Sequence, residues 1–201
     1  ENTLIGAVST TYITKKGEQE FEALGWFNGE HITYKIPRGV KVVSLMYRET
    51  GYDSSFCGDF RCDDEFLNSL WQKSLRTLYV TMRDNFMDCP DRERAQWWGD
   101  VTNEMIMTMY SMDSNSLLLY QKGVEAMLSH VDDTKVLQTV VPINGDYFEL
   151  PVQQLAGIVG FLTYYEYTGD KAFIEKVYEP TLDYLKLWEI GENNLVVHRG
   201  G

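Results

Sequence analysis

Asp88-Cys-Pro-Asp-Arg-Glu-Arg-Ala-Gln-Trp-Trp-Gly-Asp100 is the stretch on which the reading of this chain turns. It sets the carboxyls of Asp88, Glu93 and Asp100 around a tryptophan pair, and Pro90 and Gly99 oppose one uninterrupted helix. Carboxylates accept hydrogen bonds from hydroxyls, and an indole covers the apolar face of a pyranose, so acids alternating with aromatic faces suit a sugar site. A carboxyl beside an indole also has its ionised form disfavoured, which suits a general acid. Trp97 and Trp98 are chain neighbours, so one is expected at the site and the other in the core.

Downstream the pattern is helical. Asp100 caps or opens a helix running to about Met112, with Val101, Met105, Ile106 and Met109 inward, and Ser114 or Asn115 starts the next, ending near His130. Met105, Met107, Met109 and Met112 read as packing residues. The segment Val140-Val-Pro-Ile-Asn-Gly-Asp-Tyr-Phe-Glu-Leu-Pro-Val152 reads as a long connection with a turn at Asn144-Gly145, and Asp146, Tyr147 and Phe148 on it are candidates to line a pocket. A helix over residues 153–168 stops at Gly169, and Asp170 caps another. Pro180 is expected to divide that last stretch, opening a final helix to Ile190.

Upstream, Asp63 or Asp64 caps a helix whose apolar spacing, from Phe66 through Leu70, Trp71, Leu75 and Leu78 to Met82, runs to about Arg83. Before it the chain reads as β-rich. Ile32-Thr-Tyr-Lys-Ile36 and Val40-Lys-Val-Val-Ser-Leu-Met-Tyr47 are strand-like and are separated by Pro37-Arg-Gly39. The expected division is residues 1–59, the C-terminal strands of a β-sandwich, and residues 60–201, a mainly α part. Successive antiparallel helices with alternating short and long connections suggest a helical toroid. Five helices cannot close one, so the chain is expected to be a fragment of a larger protein.

The totals narrow the function. With 201 residues and 44% hydrophobic content the chain can bury a core. Eighteen basic against thirty acidic residues give a net charge of −12, which opposes nucleic acid and anionic membranes as partners. No apolar run is long enough for a bilayer, and Glu1-Asn-Thr-Leu lacks a signal-peptide pattern, so the compartment stays open between secreted, periplasmic and cytoplasmic. The oligomeric state is equally open. Cys57, Cys62 and Cys89 predict free thiols, with a disulfide between Cys57 and Cys62 as the alternative. His31, His130 and His198 are too dispersed for a zinc site, and nothing resembles a phosphate loop or dinucleotide fingerprint, so neither metal nor cofactor is expected.

The stretch and its surroundings resemble the α-L-rhamnosidase family of inverting glycoside hydrolases, whose members carry Asp-Cys-Pro, then Glu, Trp and Gly-Asp at the entrance of an (α/α)6 barrel. The matching residues are Asp88-Cys89-Pro90, Glu93, Trp97 and Gly99-Asp100. Phe60-Arg-Cys-Asp-Asp-Glu-Phe-Leu-Asn68 and Tyr164-Tyr-Glu-Tyr-Thr-Gly-Asp170 also resemble family segments. The resemblance implies part of an (α/α)6 barrel, preceded by the end of a β-sandwich. It implies removal of terminal α-L-rhamnose from a glycoside or polysaccharide by an inverting acid/base mechanism, with no cofactor or metal. Glu93 is then the general acid, Asp88, Asp100 and Arg92 bind the sugar, and Trp97 packs on it. Many relatives place one more residue between the first Asp and the Glu. The family's base is a second glutamate far downstream, beyond Gly201, so the isolated chain is expected to be inactive. The alternatives are a hydrolase of another deoxy-sugar or uronic acid glycoside, and a non-catalytic carbohydrate-binding barrel.

Overall fold

The fold is described from a computed structural model for residues 9–29, 31–143, 149–197 and 199. Asp64 opens α1 (Glu65–Val80), its carboxylate accepting from the amides of Phe66 at 2.8 Å and Leu67 at 3.4 Å. Asn68 braces this start, exchanging hydrogen bonds of 2.9 Å each with both backbone groups of Cys62. The helix ends three residues before the expected Arg83. At Thr81 the amide turns back to Leu78 O, and Met82 then bridges to Phe86. Only Leu75 and Leu78 of α1 are buried, whereas Phe66, Leu67 and Leu70 face outward among the described residues.

The central packing unit is α2 (Trp98–Ser111) against α4 (Pro151–Thr168). Gly99 meets Gln153, Thr102 Oγ1 donates to Ala156 O at 3.0 Å, and Tyr167 donates to Met109 O at 2.9 Å. Contact positions rise together in both helices, so the two run parallel. Between them in sequence, α3 (Asn115–Ser129) returns antiparallel to α2 after the short turn 112–114. Close approach of α2, α3 and α4 depends on Gly160, where an added Cβ would lie 2.5 Å from Thr102 Oγ1 and 2.8 Å from the Tyr120 hydroxyl. Trp98, Val101, Met105, Tyr120, Val124, Phe161 and Tyr164 fill the space between.

Gly169 leaves α4 in the left-handed conformation (φ 69°), and Asp170 caps α5 (Lys171–Lys186) by accepting from Phe173 N at 3.0 Å. Pro180 does not divide this stretch. It sits inside one continuous helix, which ends at Lys186 rather than Ile190. Phe173, Val177 and Tyr184 on either side of it bury along one face, and that shared burial holds both halves in line despite the missing amide. Val152, Leu155, Val159 and Leu162 leave an apolar stripe of α4 exposed, and Met107 is exposed rather than packed.

Residues 32–36 and 40–47 form no ladder among the described residues. Their recorded backbone bond is the turn contact from Val40 N to Pro37 O at 3.3 Å. An isolated two-stranded pairing is marginal in water, and Val43, Met46 and Tyr47 find no apolar surface here to cover them. Residues 52–58, in contrast, clamp the turn between α2 and α3. Cys57 N and Gly58 N both donate to Ser111 O, Asp113 N donates to Ser55 O, and Asp113 accepts from Ser54 Oγ at 2.7 Å and Ser55 N at 2.9 Å. These bonds hold the Asp113 carboxyl below its ordinary range. All three cysteines are free thiols. No helix among the described residues is long and apolar enough to cross a membrane.

Replacing Gly160 by Ala is expected to lower unfolding free energy by about 1–3 kcal/mol through overpacking, read as a lowered denaturant midpoint with an unchanged slope.

Candidate active site

The acidic stretch rises as a loop between two buried roots. Met82, Phe86 and Met87 anchor its first end in the core, and Gln96 and Trp98 anchor its second. Asp88 closes the neck. Its amide donates to Ala95 O and its Oδ1 accepts from Ala95 N, both at 3.0 Å. Within the neck the Glu93 amide points at Cys89 Sγ at 3.3 Å, and the carboxyls of Asp88 and Glu93 and the thiol of Cys89 approach one another within 4.8 Å. Two carboxylates and a thiol could ligate a cation, although the thiol already accepts from the Glu93 amide.

Glu93 is exposed. A hydrogen bond that the protonated carboxyl donates to the Asp88 carboxylate pushes it above the ordinary range, helped by desolvation and by the charge of Asp88, while its ion pair with Arg92 opposes the shift. Asp100 takes no part in this shift. Nor does it cap α2: the cap position is Trp97, with no side-chain bond, and Asp100 lies in the first turn where its charge meets the helix dipole. The orphan amide of Gly99 is satisfied from α4, by Gln153 Oε1 at 2.5 Å.

The tryptophans separate because residues 96–97 form a short strand. This β1 (Gln96–Trp97) pairs antiparallel with β2 (Val140–Val141), inside what the sequence presents as a long connection. Alternation sends Gln96 inward, where its amide donates to Val141 O at 3.3 Å, and leaves Trp97 half-buried. Trp98, the first residue of α2, is fully buried and meets Phe161 edge-on. Asp146, Tyr147, Phe148 and the turn at Asn144-Gly145 lie outside the described residues.

Arg94, one residue after Glu93, takes a positive φ of 52° and reaches away from the acids. Its guanidinium lies 3.8 Å from the centre of the Trp26 ring and donates to Asn28 Oδ1 at 3.0 Å and Pro90 O at 3.1 Å. Arg83 covers the same ring at 4.2 Å. The indole of Trp26 therefore joins the N-terminal segment to the acid loop.

The residue that sequence reasoning missed is Glu104. It lies one helical turn after Asp100, and burial pushes its carboxyl up to about 8; a hydrogen bond with Thr81 opposes the shift, and Asp100 and Asp88 reinforce it. The available signal was the spacing: four residues along a helix bring Asp100 and Glu104 to one face. Two clefts, between α4 and α5 and between α3 and α5, include none of these loop acids.

Residues 55–197 match the model of the bacterial alpha-L-rhamnosidase 6 hairpin glycosidase domain. The chain belongs to this family. Its helices are thus part of the six-hairpin barrel expected of such a domain, and the loop from Asp88 to Asp100 lies wholly inside the match. Among solved structures, the chain is similar to the GH78 family rhamnosidase of Bacillus sp. GL1 at 25% identity and TM-score 0.61, covering 70% of this chain and 14% of that one. It is also similar to the rhamnosidase from Klebsiella oxytoca with rhamnose bound, at 17% identity and TM-score 0.58, covering 66% and 26%. A third likeness is the alpha-L-rhamnosidase from Dictyoglumus thermophilum, at 23% and TM-score 0.54, covering 66% and 15%. The chain therefore spans about a quarter or less of the length of these structures. It matches no curated protein significantly.

Glu104 sets a pH dependence of stability in this rhamnosidase-family domain. Its folded pKa, about 8, stands above the ordinary 4.5, so between those values the native state holds a proton that the unfolded state has lost. Stability should fall as pH rises through this window, by at most about 1.4 kcal/mol per unit from this group. Urea titrations at several pH values check this, and Glu104→Gln should flatten the slope.

Proposed function

We propose that the intact protein is an inverting α-L-rhamnosidase with Glu93 as its general acid. The observation that carries this reading is the pairing of Glu93 with Asp88, which favours the protonated form of an exposed carboxyl within the family's own domain. A general acid needs its protonated form favoured and a path to substrate: the pairing with Asp88 favours that form, and Glu93 is exposed.

In this reading the Glu93 proton passes to the glycosidic oxygen as the bond from that oxygen to the anomeric carbon breaks. Water attacks the opposite face of the sugar and gives its proton to a second carboxylate. Inversion needs the two carboxyls roughly 6.5–9.5 Å apart, with water between base and sugar. The base is a glutamate from outside residues 1–201, so the isolated chain does not turn over. Asp88 binds a rhamnose hydroxyl through the oxygen not committed to Ala95, and Asp100 binds another. Trp97 covers the apolar face or the methyl group. Arg92 exchanges its exposed pairing with Glu93 for a sugar hydroxyl. The substrate is a rhamnose-containing glycoside or polysaccharide.

The division at residue 59/60 belongs to the same proposal. The family match begins at residue 55, where the chain docks on the α2–α3 turn. Residues 1–59, with their β-branched and aromatic runs, are read as the end of a β-sandwich.

Glu93→Gln in the intact protein should lower turnover of an aryl α-L-rhamnoside by about 10²–10⁴-fold while rhamnose binding persists, measured by steady-state kinetics and calorimetry. Unchanged turnover removes Glu93 as the acid. A panel of aryl glycosides of other deoxy-sugars and uronic acids tests the sugar: the L-rhamnoside should be the preferred substrate.

A further inference from the structure

Trp26 stands 68 residues before Arg94 and has no part in the acid/base scheme, yet two cations of the acid loop meet on its indole. Arg83 lies at the first root of that loop, and Arg94 directly follows Glu93. Neither forms an ion pair among the described residues, although Asp88, Asp91 and Glu93 belong to the same loop. Like charges this close repel, and the shared π face offsets that repulsion. Both arginines are also held by hydrogen bonds to the N-terminal segment. Arg83 donates to Thr50 O at 3.3 Å, and Arg94 donates to Asn28 Oδ1 at 3.0 Å and to Trp26 O at 3.5 Å.

The backbone shows why Arg94 needs such a hold. Its φ of 52° lies in the left-handed region, which an L residue enters at a cost and keeps only where its contacts demand it. Here one side chain supplies them. Its Nε donates back to Pro90 O at 3.1 Å, closing the turn from Pro90 to Arg94, while the rest of the guanidinium faces Trp26 and Asn28. Glu93 sits inside that turn and is exposed, so its direction follows the turn that carries it. The neck between Asp88 and Ala95 closes separately, through two bonds within the loop itself. Slackening at Arg94 would thus move Glu93 and spare Asp88.

Resting on the hydrolase reading, we propose that Trp26 is a positioning residue of the acid site: its indole holds Arg94, and Arg94 holds the turn that aims Glu93. Trp26 touches neither the sugar nor the reacting bond. What the place requires is an aromatic face for a planar cation, and apolar bulk alone does not serve.

The test compares wild type, Trp26→Leu, Trp26→Phe and Arg94→Lys in the intact protein, by steady-state kinetics on an aryl α-L-rhamnoside and calorimetry with rhamnose. Trp26→Leu should lower kcat by roughly 10–100-fold while rhamnose affinity stays within about threefold. Trp26→Phe restores a π face and should return to within about fivefold of the wild type. Arg94→Lys keeps the charge but loses the planar fork that serves ring, Asn28 and Pro90 together, and should fall as far as Trp26→Leu. Independently of substrate, trypsin should cut after Arg94 at least about tenfold faster in Trp26→Leu than in the wild type or Trp26→Phe. If Trp26→Leu does not fold, kcat of Arg94→Lys decides.

Undiminished kcat in Trp26→Leu or Arg94→Lys overturns the inference and leaves the hydrolase reading standing. So does a Phe variant as impaired as the Leu variant, a rhamnose affinity that falls as far as kcat, or an unchanged rate of cleavage after Arg94. A wild type that cleaves no rhamnoside removes the hydrolase reading, and the positioning role with it.

Discussion

Enclosure of Trp98 is the constraint on which the rest of the structure depends. Its indole fills the space between α2 and α4 where Gly157 lets the helices approach, and an added Cβ at Gly157 would lie 3.3 Å from the Trp98 Cβ. An enclosed indole of this size contributes on the order of 3–5 kcal/mol on truncation, more than any cap in the chain. Because Trp98 is the first helical residue, its burial fixes where the loop ends and the helix begins. Trp97 is then left on the strand side, and Asp100 and Glu104 on consecutive turns. The bond that the Gly99 amide donates to Gln153 Oε1 completes this start without any cap from α2 itself.

The helical half of the fold was legible where local chemistry coincides with burial. Asp64, Gly169 and Asp170 announce helix ends by capping and left-handed backbone, and all three act as read. Pro180 was misleading because the penalty of an internal proline is local, whereas the burial of Phe173, Val177 and Tyr184 acts along the whole helix. The strand-like runs at 32–36 and 40–47 stand differently. Their composition reports a preference for a pleated surface, but a ladder needs a partner, and none pairs with them among the described residues. The short pairing of Gln96–Trp97 with Val140–Val141 was invisible because two-residue strands carry no period.

Within the site, the acids of the motif could be named from sequence, but their pairings could not. Asp88 and Glu93 are brought together by closure of the loop at Ala95, a contact that composition does not encode. Asp100 was expected beside Glu93, and its influence falls on Glu104 instead, because a helix couples residues four apart more tightly than a loop couples residues seven apart. Glu104 was passed over as an ordinary helical glutamate, since burial of a single acid is set by tertiary packing.

The hold of Arg83 and Arg94 on Trp26 bears on where this protein can be cut. A boundary drawn at the start of the family match, residue 55, severs Trp26 and Asn28 from the piece that keeps the acids. Two guanidiniums would then exchange an aromatic face for water, and the peptide next to Glu93 would lose its tether. A family domain excised by homology alone would carry every motif residue on a loop that has lost its anchor to the N-terminal segment.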